Sequence, residues 1–272
     1  MAIVIESVST GVSPITKPTG LAVGDLMVAI VSQSYNVAFP SASTPSGWTS
    51  ETSGFDPRAH GLFWKVADSS DVAASDFTFK DSANNHMTGA LYRLSGADAD
   101  EDLSFAIFNG ADTDTNTTGT VATGIAPVYA ISHFFGGYLV VDDATNGTMS
   151  TYGLGGSPTF TERIDTALDA VTTFSVADAP ISSLTALGNA TVVTTATTPS
   201  IIRIFGMLIY AAKINAVADP AFFQLTPQIY QTIPQMITAT PSIYAVTPVL
   251  HTPTWTNADK NAATNVTNQD KV

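Results

Sequence analysis

The chain of 272 residues contains no cysteine, which excludes a disulfide framework, a thiol nucleophile and a zinc–thiolate site. Charge is scarce as well: Asp, Glu, Lys and Arg together make up 12%. Before residue 216, twenty acids face eight basic residues, a balance of −12, and the remainder carries −1. So acidic a body repels nucleic acid and anionic membrane surfaces, and neither is an expected partner. The plain consequence of the acidity is solubility. No run of 18 apolar residues occurs, so no membrane-spanning helix is expected. Met1-Ala2-Ile3-Val4-Ile5-Glu6 has no basic leader and too short an apolar run for a signal peptide, which predicts synthesis in the cytoplasm.

Signatures of catalysis are missing too. His60, His86, His133 and His251 form no HExxH pattern, the spacing that puts two ligands on one helix face. The sequence holds no Gly-x-Ser-x-Gly elbow, phosphate loop or dinucleotide fingerprint, so the expected role is not enzymatic and needs no cofactor. A carboxylate pair for sugar hydrolysis stays open, because its spacing belongs to space and not to sequence. Two acidic clusters stand out, Asp98-Ala99-Asp100-Glu101-Asp102 and Asp112-Thr113-Asp114-Thr115-Asn116. Alternating oxygen side chains suit calcium, which makes Asp112, Asp114 and Asn116 a candidate site. Thr117 and Thr123 stand where an EF-hand loop needs glycine and glutamate, so that pattern fails, and solvated loop acids are the competing reading.

What is present reads as strands. Apolar or alternating segments at 2–8, 26–31, 61–67, 76–80, 87–94, 103–108, 128–135, 138–141, 159–164, 171–177, 190–196 and 201–212 are separated by turn signals such as Pro45-Ser46-Gly47, Asn109-Gly110 and Asn146-Gly147. Short strands at this spacing, with no helical period between them, predict an all-β, antiparallel β-sandwich of jelly-roll-like form over residues 1–215. An internal duplication shows as four motifs recurring in order. Val28-Ala29-Ile30 recurs as Tyr129-Ala130-Ile131, and Gly47-Trp48-Thr49-Ser50-Glu51 as Phe160-Thr161-Glu162-Arg163. Phe63–Asp68 recurs as Phe174–Asp178, and Gly89-Ala90-Leu91-Tyr92 as Gly206–Tyr210. Pseudo-repeats near 1–115 and 116–215 follow, forming either one two-sheet body, the favoured expectation, or two packed sandwiches.

The series Gly24–Val31, Pro45-Ser46-Gly47-Trp48-Thr49, Phe63-Trp64-Lys65-Val66-Ala67 and Ala90-Leu91-Tyr92-Arg93 resembles a β-sandwich module of structural proteins of tailed phages and prophages. Glu162-Arg163 and Val176–Pro180 fit the same module in the second half, so the likeness spans residues 3–213. It brings no catalytic residue. The resemblance implies a protein on the virion surface, as head decoration, fibre or tail component, whose partners are identical copies and other virion subunits.

Residues 216–272 are of another kind. Pro220, Pro227, Pro234, Pro241 and Pro248 recur every seventh residue, and no Asp, Glu, Lys or Arg lies between Asp219 and Asp259. Proline at this spacing excludes a helix, and so apolar a composition is unlike that of disordered chains. An extended arm is therefore expected. Thr226-Pro227-Gln228-Ile229-Tyr230 recurs 14 residues later as Thr240-Pro241-Ser242-Ile243-Tyr244, an even step that returns side chains to one face of a strand. Pro227, Ile229, Tyr230, Ile233, Pro234, Pro241, Ile243, Tyr244, Pro248 and Trp255 are the candidate contacts to neighbouring subunits, by strand addition or intertwining. Loop aromatics offer another role for the body: Tyr35, Trp48, Phe55, Trp64 and Tyr152 could stack on host glycan, although Trp48 and Trp64 also suit a core.

Overall fold

The computed structural model describes residues 3–33, 42–54, 58–97, 106–113, 116–125, 127, 132–142, 146–155, 157–182 and 186–211. The chain divides between Asn215 and Ala216, and everything described lies before that division. The partner-contact residues named above, from Pro227 to Trp255, lie outside the described residues, as does the arm that carries them.

Seventeen strands and one short helix make up the described residues. The first half holds β1 (Val4–Val12), β2 (Ile15–Thr16), β3 (Leu26–Ser32), β4 (Ala42–Ser43), β5 (Thr49–Gly54), β6 (His60–Val66), α1 (Ser69–Ala73), β7 (Asp76–Phe77), β8 (Lys80–Asp81) and β9 (Thr88–Ser95). The second holds β10 (Ala106–Asp112), β11 (Thr118–Ala122), β12 (Ser132–Asp142), β13 (Met149–Gly153), β14 (Thr161–Ala167), β15 (Thr172–Ile181), β16 (Asn189–Thr194) and β17 (Pro199–Tyr210). All pairing is antiparallel.

The duplication is written in the topology. One five-stranded sheet runs β1-β9-β3-β6-β5 and the other β10-β17-β12-β15-β14. Numbering the long strands of each half from one to five gives the same order, 1-5-2-4-3, twice. The small sheets repeat as well: β11-β16-β13 in the second half matches β2-β7 and β4-β8 in the first, where one central strand is broken into two at Thr78-Phe79. Because β10 belongs to the second large sheet, the halves meet between residues 97 and 106 and not at 115/116.

Each half is thus a jelly-roll-like sandwich, and the two sandwiches pack through their large sheets. The favoured two-sheet body gives way to this arrangement because both faces of each large sheet are apolar. On β3, Leu26, Val28 and Ile30 face a central core that also takes Tyr92, Phe135, Leu139, Phe174 and Phe205. The alternate residues Met27, Ala29 and Val31 face the outer core of the first sandwich with Trp48, Phe63, Phe77 and Phe79. The second sandwich has its own outer core, built on Phe134, Tyr138, Val140, Ile204 and Leu208. A strand buried on both faces loses the usual apolar–polar alternation, which is why Leu26–Val31 is a continuous apolar run.

β12 runs unbroken through Gly136-Gly137, where the sequence reading splits it into two strands. The glycines are there for space: a Cβ on Gly137 would lie 2.4 Å from the Phe205 ring. α1 is capped by Asp68, whose side chain accepts from the amides of Ser70 and Asp71 while the Asp71 side chain accepts from Asp68 N, a capping box.

The second motif pair holds to the residue. The edge strands β5 and β14 each carry a one-residue bulge, at Glu51 and at Arg163, and in the second motif pair these residues correspond. Trp48 and Phe160, three residues before each bulge, both pack into outer cores. The Phe63/Phe174 match fails, since Phe63 faces an outer core and Phe174 the central one. Residues 129–131, the echo of Val28–Ile30, lie outside the described residues.

Candidate functional site

Most polar side chains inside the body are spoken for. At the joint between the sandwiches, Asp178 of β15 is 1% exposed and accepts four hydrogen bonds. Its Oδ1 takes His133 Nε2 at 2.8 Å and Arg163 Nη2 at 3.2 Å, and its Oδ2 takes Arg163 Nε at 2.5 Å and the Tyr92 hydroxyl at 3.3 Å. That uses the roughly four lone-pair sites of a carboxylate. Burial alone would raise the Asp178 pKa, but the bonds from His133 and Arg163 hold it below the ordinary range. Burial and the neighbouring carboxylate push Tyr92 well above its ordinary value. A saturated carboxylate is neither a base nor a ligand; here it ties β9 of one sandwich to β15 of the other.

A second polar chain crosses the same joint. Asn109 donates from Nδ2 to His60 Nε2 at 3.0 Å, and its Oδ1 accepts from Arg203 Nη1 at 2.8 Å. His60 Nε2 is then an acceptor, so the proton sits on Nδ1, which donates to the Arg58 carbonyl at 2.9 Å. Both histidines are buried and serve as orienting links, His133 in a buried network and His60 in one that reaches the surface at Asn109.

The candidate calcium residues are only partly described. Asp112 closes β10, and its Oδ2 accepts from Thr120 N of β11, in the other sheet, at 2.8 Å; Asn116 is exposed and Asp114 lies outside the described residues, as do Asp98–Asp102. Among the described residues no three His, Cys, Asp or Glu come together as a metal site. Of the candidate aromatics, Trp48 is buried with its ring edge-on to Phe77 and Phe79 at 5.9 and 5.3 Å. Trp64 is half-buried and donates from Nε1 to Glu51. The Tyr152 hydroxyl meets Glu162 at 2.7 Å and Ser175 at 2.5 Å. Tyr35 and Phe55 lie outside the described residues.

Polar capacity is left over at the buried hydroxyls of Ser132 and Tyr138 and, in an open groove, at Asp165. A groove of about 260 Å³ on the second sandwich is lined by Asn146, Gly147 and Thr148 before β13, Asp165 on β14, Thr173 on β15 and Thr195 after β16. Its walls are fixed from within: Thr173 Oγ1 donates to Gly147 O at 2.7 Å, and Thr148 N donates to Thr195 Oγ1 at 2.8 Å. Gly147 itself has no room for a side chain, as a Cβ would lie 2.3 Å from Ala196 N. Asp165 Oδ2 accepts from Met149 N at 2.9 Å, but Oδ1 has no partner and is closed off from bulk water. Burial raises the Asp165 pKa above the ordinary carboxylate range. Sequence reasoning marked Asn146-Gly147 as a turn and missed Asp165, a single acid among strand residues with no motif around it.

No family model matches the chain, and no curated protein or solved structure is significantly similar to it. No described helix is long and apolar enough to cross a membrane.

Proposed function

We propose that the chain is a structural component of a tailed-phage particle, displayed on its surface and held there by residues 216–272, which pack on neighbouring subunits. The observation that carries this reading is the uncharged, proline-punctuated stretch between Asp219 and Asp259 joined to an acidic body. Fully extended, 57 residues reach roughly 190 Å, whereas a body of this size has a gyration radius of about 17 Å. Burying each large apolar side chain contributes about 1.5–3 kcal/mol, against about 1–2 kcal/mol for ordering each backbone residue. The two terms offset one another unless strand pairing with a partner adds hydrogen bonds, which proline confines to edges and bulges. The likeness of residues 3–213 to phage sandwich modules supports a particle as the setting. The duplicated body supports it too, because its two internal networks are structural ties.

The test compares the full chain with one ending at Lys213 by light scattering after size exclusion. The full chain is expected to form a defined oligomer and the shortened chain a folded monomer. Two equally soluble monomers would remove the arm from the argument.

A further inference from the structure

The groove beside Asp165 goes beyond an assembly role and does not depend on one. We propose that it binds a single neutral, polyhydroxylated ring, such as one sugar residue of a glycan, with Asp165 as the principal acceptor.

The chemistry follows from what the walls offer. Among the described lining residues there is no Lys or Arg, so none of them attracts a phosphate or carboxylate. A metal ion of the calcium type wants six to eight oxygens and several negative charges, and Asp165 is the one acid among the described lining residues. The oxygens present are of two kinds. Asp165 Oδ1 is an acceptor without a donor. Thr148 Oγ1 and Thr195 Oγ1 sit 3.2 Å apart and share one proton between them, which leaves the pair one proton to donate outward and lone pairs to accept with. Thr148, Thr195 and Asn146 are exposed at the rim. A site with acceptors and a donor side by side matches vicinal hydroxyls, each of which both gives and takes. An ammonium group would use the acceptors and leave the donor idle.

Oδ1 is covered in this conformation, so a ligand reaches it by a turn of the carboxylate. The carboxylate torsion of aspartate is broad, and partial burial together with the nearby Glu162 charge raises the Asp165 pKa against the bond from Met149 N. A buried acceptor left unmade is unfavourable, so a hydroxyl entering the groove removes that penalty as it binds. The volume, about 260 Å³, falls at the small end of ligand sites and fits one ring, with the rest of a glycan leaving through the open side.

The test is saturation-transfer NMR on the full chain with methyl glucoside, methyl galactoside, methyl mannoside, methyl N-acetylglucosaminide and, separately, methylammonium. At least one glycoside is expected to bind. Asp165→Asn keeps an oxygen for Met149 N but can turn a donor to the groove, and should weaken that glycoside about tenfold or more. Thr195→Val removes the hydroxyl pair and should weaken it as well, which covers the case of an unfolded Asp165 variant. The proposal is overturned if no glycoside binds, if methylammonium alone binds, or if binding is unchanged in both variants.

Discussion

Arg163 holds Asp178 at two points across a bulge, with Nε 2.5 Å from Oδ2 and Nη2 3.2 Å from Oδ1. The matching bulge in the first sandwich presents Glu51, which accepts from Trp64. Thr49 pairs with Trp64 and Thr161 with Asp178, so the two couples occupy equivalent places. A bulge adds a residue to an edge strand and re-aims its side chain. In both halves it turns the added residue toward the neighbouring strand, with acid and donor exchanged between the positions.

Replacing Arg163 with methionine leaves a buried carboxylate short of two of its four bonds, and should cost about 3 kcal/mol. Urea unfolding followed by tryptophan fluorescence measures it. The double variant Arg163→Met/Asp178→Asn should recover part of that loss, because it removes the charge along with its partner and keeps an oxygen to accept from His133. A double variant as unstable as the sum of the singles would mean that the pair acts through packing alone.

Two acids give the fold opposite responses to pH. The folded-state pKa of Asp178 is lowered, so its contribution is fully present above the unfolded value of about 3.9 and is lost as pH falls through the folded value. Asp165 is raised; the folded state takes up its proton first, so stability rises as pH falls from neutral through that value. Unfolding midpoints from pH 7 to 3 should therefore show an acid-side decline that Asp178→Asn makes shallower. Asp165→Asn should remove a gain at the higher end of the range. An acid limb unchanged by Asp178→Asn would refute the first assignment.

Trp48 separates a packing role from a binding one. Its ring fills the outer core of the first sandwich against Phe77 and Phe79, so Trp48→Ala should cost about 3–5 kcal/mol. The loss is read as a lower urea midpoint. A variant of native stability would mean that the ring spends its time outside the core.

The long strands were legible because the large sheets are apolar on both faces, as in Leu26–Val31 and the segment 201–212. Apart from the two-residue strands Ile15–Thr16 and Ala42–Ser43, the strands that escaped are Thr118–Ala122, Met149–Gly153 and Thr49–Gly54. Each is rich in Thr, Ser and Gly and contributes few apolar side chains, so its sequence resembles a loop. The duplication was legible at Trp48–Glu51, where packing and a bulge constrain adjacent residues. It was misread at Phe63, where similarity of residue type conceals opposite facing. The groove was illegible because its donors and acceptors come from four separate segments that only the folded sandwich brings together.

The central core makes one prediction about the halves themselves. If residues 1–97 were folded alone, Leu26, Val28, Ile30, Leu62 and Tyr92 would lose the cover of Phe135, Phe174 and Phe205. An apolar sheet face of that size is not left bare on a soluble monomer. The pseudo-symmetry offers a remedy, because the exposed face resembles the one it lost. The 1–97 fragment should therefore self-associate through that sheet or precipitate, and adding a fragment spanning 98–215 should draw it into a soluble one-to-one complex. Analytical ultracentrifugation of each fragment and of the mixture distinguishes these outcomes. A 1–97 fragment that sediments as a folded monomer would show that the sandwiches are independent domains and that the central core is dispensable.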